Sequence, residues 1–297
     1  MAISKGKTSV DFEYKKYYGV APVKVLAVNP NKKELEGIYN TEFENSPEYV
    51  GTTTRDEKEI PQVRIDFVVK TVKDSCGVEL LNKLSFFLCN SPRYNKDKSK
   101  MQIIDKYGRT AWATPEEVKN KVVPTYKNGA ANIDKDFRPA YIGEEDLIKF
   151  IITYLGIPRV DRYINGTWEK VDNPEECEAR LEHISDYFKG DFSELKEAIS
   201  FQPNNKVKVL FGVRSTEDNR QYQTIYPHFF LKSNTTKYDN LAADVQSRKN
   251  AGGYSNVDFF IGDLKEYTVE PTEFTQEQEV SEGTSDLPFD TNSWFNA

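Results

Sequence analysis

Residues 63–71 read VRIDFVVKT. Val63, Ile65, Phe67 and Val69 fall on one face, and Arg64, Asp66 and Lys70 fall on the other. That two-residue period marks a strand with one side buried. Residues 80–90, LLNKLSFFLCN, repeat the pattern through Leu84, Phe86 and Leu88. Upstream, VAPVKVLAV at 20–28 reads as a third strand, with Pro22 near its start, where an edge tolerates it. The polar stretch 40–61, with Pro47, Gly51 and Pro61, reads as a loop between them. Downstream, residues 101–113 predict a hairpin bent at Tyr107-Gly108. KVKVLFGVR (206–214) and QYQTIYPHFFLK (221–232) predict a second hairpin. YSNVDFFIGDL (254–264) is either one last strand or a segment packed on the body.

Between these strand runs the period changes. Thr114 followed by PEEV looks like a capped helix start, with proline in the first turn and acids at the positive end of the dipole. EEDLIKFIITYL (144–155) places Leu147, Ile148, Ile151, Ile152 and Leu155 on one helical face, and Gly156 and Pro158 stop it. Residues 174–188 and 192–199 read as two further acidic amphipathic helices. The expected fold is mainly β with a helical insertion, an α+β chain. An OB-fold-like antiparallel barrel leads, and a β-sandwich with a helical insertion is the rival. The expected organisation is a basic, aromatic arm over 1–19, an OB-like domain over 20–265 with a helical insertion at about 114–200, and an acidic tail over 266–297. The tail is disordered by composition.

The chain has 297 residues, room for a sizeable core, yet only 38% are hydrophobic and the mean hydropathy is -0.67. Rings are abundant, with 17 Tyr and 18 Phe against 2 Met. No apolar run reaches the ~18 residues of a membrane span, and the N-terminus has no secretory apolar region. Cys76, Cys89 and Cys177 stand far apart, which suits a reducing cytosol. With His183 and His228 alone, neither a zinc site nor a His-based catalytic pair is expected. Gly6-Lys7-Thr8 echoes a phosphate loop but lacks its upstream glycine and strand. Acid pairs such as Asp134 with Asp136 arise freely among 47 acids. The expectation is no metal, no cofactor and no enzyme activity.

The net charge of -7 argues at first against a nucleic-acid partner, but its distribution reverses that. Residues 266–297 hold eight acids and no Lys or Arg, so residues 1–265 carry +1. Residues 144–199 carry -7, which leaves +8 on the rest of the body. Blocks of this kind mark an interaction tail. On the body, cations sit beside rings: Lys15-Lys16-Tyr17-Tyr18, Arg93-Tyr94, Lys106-Tyr107-Gly108-Arg109 with Trp112, Tyr126-Lys127, and Arg220-Gln221-Tyr222. Single strands need both, because cations follow phosphates and rings stack on unpaired bases, at about 1–3 kcal/mol per base. Duplexes hide those base faces. The expected stacking rings are Tyr17, Tyr18, Tyr94, Tyr107, Trp112, Tyr222 and Tyr226. The expected phosphate partners are Lys15, Lys16, Lys24, Arg93, Lys106, Arg109, Arg214 and Arg220.

The tail carries Asp286, Leu287, Pro288 and Phe289. An acidic tail with that tip, on an OB-type body, resembles single-stranded DNA-binding proteins, whose bacterial members end in acids followed by Ile-Pro-Phe. Here eight residues follow, including Trp294 and Phe295, where the family's tip ends the chain. Residues 19–30 (GVAPVKVLAVNP), Ile65-Asp66-Phe67 and residues 104–112 (IDKYGRTAW) are similar to the single-stranded DNA-binding proteins of tailed bacteriophages, including the crAss-like group that infects Bacteroides. The likeness spans roughly residues 14–232. It implies a replication, recombination and repair protein acting in the cytoplasm of a bacterial host. It also implies a tail that docks on replication and recombination proteins and competes with DNA. The alternative expectation is a non-enzymatic phage structural or assembly protein, with the tail as an assembly hook.

Overall fold

The computed structural model describes residues 15–157, 159–164, 167–173, 184–217 and 220–268. The chain opens with β1 (Tyr17–Val28), α1 (Lys32–Tyr39), β2 (Val50–Arg55), β3 (Lys58–Thr71), α2 (Lys73–Cys76) and β4 (Leu81–Pro92). Then come β5 (Met101–Asp105), β6 (Thr110–Ala113), α3 (Pro115–Asn120), β7 (Thr125–Tyr126), β8 (Gly129–Ala130), β9 (Phe137–Pro139), β10 (Tyr141–Ile142) and α4 (Glu144–Leu155). Next are β11 (Arg159–Ile164), β12 (Thr167–Asp172), α5 (Ile184–Tyr187), α6 (Ser193–Ser200), β13 (Val207–Ser215), β14 (Gln221–Ile225) and β15 (Leu231–Lys232). α7 (Asp239–Asn250), β16 (Val257–Phe259) and β17 (Lys265–Glu266) close the described chain.

The principal sheet runs β10-β4-β3-β1-β13-β14, and β2, β15, β16 and β17 pair at its margins. Its strand pairs are antiparallel. β1 is shared among three partners, with Tyr17 and Tyr18 paired to β17. Residues 19–23 pair with β13, and residues 23–28 pair with β3. A bulge between Val25 and Ala27 turns Leu26 to solvent. Such bulges sharpen twist. The sheet curls into an antiparallel half-barrel, and β14 comes within 8 Å (Cα–Cα) of β4.

The alternating faces follow the register. Val63, Ile65, Phe67 and Val69 face inward with Leu84, Phe86 and Leu88. α4 lies along this inner face and buries Leu147, Ile148, Phe150, Ile151 and Tyr154. Phe150 stands at the centre, its ring 4.5 Å from Phe67 and 5.1 Å from Phe230. α4 starts where no side chain fits: a Cβ on Gly143, at φ +85°, would lie 2.0 Å from the Phe87 carbonyl oxygen. Glu144 follows, fully buried, and is held by the Arg138 guanidinium (2.9 Å from Nη1) and the Tyr141 amide (2.8 Å).

Outside this core, β6-β5-β9 form a small sheet over Met101, Ile103, Ile133 and Phe137. α7 covers the outer side of β13 with Leu241 and Val245, against Val20, Leu210 and Tyr226.

Several expectations change. The 114–200 insertion is mixed rather than helical: it holds α3 to α6 but also strands β7 to β12. Of the helix expected over 174–188, residues 174–183 lie outside the described residues, and the rest contains the short α5. The expected loop at 40–61 contains β2 and the start of β3. The polar stretch 233–253 contains α7. Residues 17–19 are no separate arm, because they belong to β1 and pair with β17 and β13. Residues 1–14 and the tail from 269 lie outside the described residues.

Candidate nucleic-acid interface

The start of β1, the end of β13, the start of β14 and β17 meet at one end of the sheet. Tyr17 and Tyr18 pair with Glu266 and Lys265. The Tyr17 amide donates to Gln223 Oε1 at 2.9 Å, and Gln223 Nε2 donates to the Tyr17 and Gly212 carbonyls. Gln223 therefore fastens β1 to β14 across β13. Arg214 and Tyr222 are cross-strand partners, so they share a face.

The ring of Tyr18 meets Phe260 at 5.5 Å and Tyr267 at 5.3 Å, both edge-on. Lys265 Nζ lies 3.7 Å from the Phe260 ring centre and 5.4 Å from that of Tyr18. Such contacts draw a cation and rings together without neutralising the cation. Lys15 reaches Glu266 at 3.6 Å, with both side chains more than half exposed, so this pair contributes little to stability. Burial pulls the Lys16 amine below its ordinary pKa. The hydrogen bond from Tyr267 to Asp258 (2.7 Å), with burial added, pushes the Tyr267 phenol up to about 12.

Gly19 allows this arrangement. Its φ is +120°, and a Cβ there would lie 2.9 Å from the Asp263 carbonyl oxygen and from Leu264 Cα. Only glycine lets residues 262–264 cross so closely. The described residues end at Thr268, beside Lys15 to Tyr18, where the Tyr267 amide donates to the Lys16 carbonyl at 2.7 Å.

Seven of the expected residues thus gather here: Lys15, Lys16, Tyr17, Tyr18, Arg214, Arg220 and Tyr222. Arg214 and Arg220 also keep contacts within the protein. A second patch forms on the β5-β6 hairpin. Arg93 lies 5.9 Å from the Trp112 ring centre, and Lys100 lies 5.4 Å from that of exposed Tyr126. The Tyr126 hydroxyl accepts from the Trp112 amide (2.8 Å) and donates to its carbonyl (2.9 Å). Tyr94 is exposed and bridges to Met101. Arg93 is partly committed to Glu145, at 3.4 Å. Lys24 lies mid-strand on β1 opposite Lys70, and Lys106 rests 5.6 Å from the Tyr107 ring centre.

Three expectations are corrected. Tyr226 is fully buried under α7 and donates its hydroxyl to Asp244, so it offers no face to a base. Tyr107 is buried beneath Val160 and Val171 of the β11-β12 hairpin. Arg109 is spent on a structural knot, with Asp105 at 2.9 Å and Glu169 at 3.3 Å. The outer face of β3 and β4 is also largely neutralised: buried Asp66 holds Arg64 and Lys83, each at 3.2 Å, and accepts from Ser85 at 2.7 Å.

The sequence reading missed Lys265, Phe260 and Tyr267. Their signal was present in FFIGDLKEY (259–267), a ring-and-lysine run directly before the acids. It also missed Tyr163 and Trp168, an exposed cross-strand pair with ring centres 5.6 Å apart. Asn165-Gly166 between them was the hairpin signal. Asp286, Leu287, Pro288 and Phe289 lie outside the described residues.

Among the described residues no three His, Cys, Asp or Glu side chains gather in a metal-binding group. Nor is any of their helices long and apolar enough to cross a membrane. No protein-family model matches the chain, and no curated protein or solved structure is significantly similar to it.

Proposed function

We propose that this protein binds single-stranded DNA without sequence preference, on an OB-type barrel, and performs no catalysis. The observation that carries the reading is the convergence at one end of the sheet. Four cations (Lys15, Lys16, Arg214, Lys265) and the rings of Tyr17, Tyr18, Tyr222 and Phe260 come from four separate stretches of sequence. Cations that follow a backbone and rings that take base faces are the two requirements of an unpaired strand. The tail adds a third element. Its first acid, Glu266, already touches Lys15. A tethered polyanion at that point competes with phosphates for the same cations. When DNA displaces it, Leu287 and Phe289 become available to replication or recombination proteins. The setting that fits is phage DNA replication, recombination and repair in the host cytoplasm.

The test is fluorescence anisotropy with labelled oligo-dT, RNA and duplex of equal length. Preference for oligo-dT over duplex, falling steeply with salt, is the expected result. Equal or absent binding to all three would overturn the reading and favour a structural or assembly role.

A further inference from the structure

An open cleft of about 520 Å³ crosses the outer face of β1 next to the ring cluster. Val20, Pro22 and Leu264 supply apolar surface. Lys206 and Lys208 of the β13 side line it with Ser233 and Asn234, and Ser75 and Asp263 complete the lining. Asp263 Oδ1 lies 3.5 Å from the Tyr238 hydroxyl that Lys208 also contacts. The size falls within the roughly 300–1,000 Å³ typical of small-molecule sites. Lys208 is held in place, because its Nζ donates to the Thr235 carbonyl at 2.6 Å and to the Tyr238 hydroxyl at 3.3 Å. An ammonium has three donors, so one remains for a ligand. The half-buried Lys206 has no hydrogen-bond or ion-pair partner among the described residues.

Position gives the cleft its meaning. Tyr18, Val20, Pro22 and Lys24 alternate along β1 and so share a face. The cleft lies between Tyr18, in the ring cluster, and Lys24, which that cluster does not reach. The six residue steps from Tyr18 to Lys24 span about 20 Å, the length of several nucleotides. Lys208 sits opposite Pro22, and Lys70 sits opposite Lys24.

We infer that this cleft holds one phosphate-bearing nucleotide of the bound strand, with Lys206 and Lys208 on the phosphate and Pro22 and Leu264 under the sugar or base. The strand then runs along β1 from Tyr18 over the cleft to Lys24. The inference rests on the single-strand reading and can fail separately from it.

Two measurements on the full chain test it. The first is the salt dependence of oligo-dT affinity for Lys206→Gln, with exposed Lys189→Gln as control. Loss of one phosphate contact lowers the slope of log K against log salt by about 0.7, and the control leaves it unchanged. The second uses Cys76, whose half-buried thiol lies on the cleft wall, in a Cys177→Ser background; Cys89 is buried. Bound oligo-dT slows thiol modification at Cys76 several-fold. Protection by dTMP as well assigns the cleft to a strand end or free nucleotide, and protection by oligo-dT alone assigns it to an internal phosphodiester. If oligo-dT binds while the slope and the thiol rate stay unchanged, the cleft inference is wrong and the single-strand reading stands. If no oligonucleotide binds, the single-strand reading is wrong, and the cleft stands or falls on protection by dTMP.

Discussion

Cutting the chain after Thr268 removes seven acids and keeps β17, the Tyr267–Lys16 hydrogen bond and the Lys15–Glu266 pair. The basic and aromatic cluster therefore stays built while its tethered competitor is gone. The seven acids begin two residues beyond Thr268 in sequence, and a ten-residue random coil spans roughly 17 Å. At a separation of about 15 Å a carboxylate and a phosphate repel by about 0.3 kcal/mol in water before screening. At 10 mM salt the Debye length of about 30 Å leaves more than half of that, so seven carboxylates cost a bound phosphate about 1 kcal/mol. At 0.15 M the Debye length of about 8 Å reduces the total to about 0.3 kcal/mol. The truncated chain should bind oligo-dT roughly five- to tenfold more tightly than the full chain at 10 mM salt, and less than twofold more tightly at 0.15 M. Anisotropy titrations of both chains across that range measure it. Equal affinity at 10 mM salt would refute tail competition, and a gain independent of salt would show that it is not electrostatic.

Other outcomes follow from particular side chains. Tyr222→Ala should weaken oligo-dT binding by about 1–3 kcal/mol, whereas Tyr226→Phe should lower stability in urea and leave the affinity unchanged, because its hydroxyl serves Asp244 under α7. Glu144→Gln leaves the partly exposed Arg138 guanidinium without its charge partner and should cost about 1–3 kcal/mol of folding stability, read from chemical denaturation. Glu145 gives a pH signature. Burial pushes its carboxyl up, but Lys149, Gln102 and Arg93 outweigh this and hold it below its ordinary 4.5. A depressed folded-state pKa contributes stability that is complete above the unfolded value and lost as pH falls through the folded value. Acid unfolding below about pH 4.5 should therefore be shallower in Glu145→Gln than in the native chain.

The parts of the fold that sequence makes legible are those with a one-sided apolar pattern. Strands at 63–71 and 81–90 and the helix at 144–155 announce themselves because one face of each meets a core. The hairpins expected over 101–113 and 206–232 follow from turn residues between alternating runs, and the second pairs as β13 with β14 over 211–225. α7 is silent for a physical reason: it buries only Leu241 and Val245, one turn apart, within an otherwise polar segment. That silence explains the error at Tyr226, whose polar surroundings in sequence gave no sign of the helix that covers it. Tyr107 and Arg109 fail for the same reason, because the β11-β12 hairpin packed on them lies in the stretch that the sequence predicts as a helical insertion. The gathering of Lys15 to Tyr18 with Arg214, Tyr222 and Lys265 depends on pairings between residues up to about 250 positions apart. Local pattern carries no record of such register.

The most direct test of the central claim is to photocross-link oligo-dT to the full chain and map the adducts by mass spectrometry. The account predicts adducts on Tyr17, Tyr18, Tyr222 or Phe260, at the end of the sheet where β1, β13, β14 and β17 meet. Adducts confined to the β3-β4 face around Asp66, with none at that end, would contradict it.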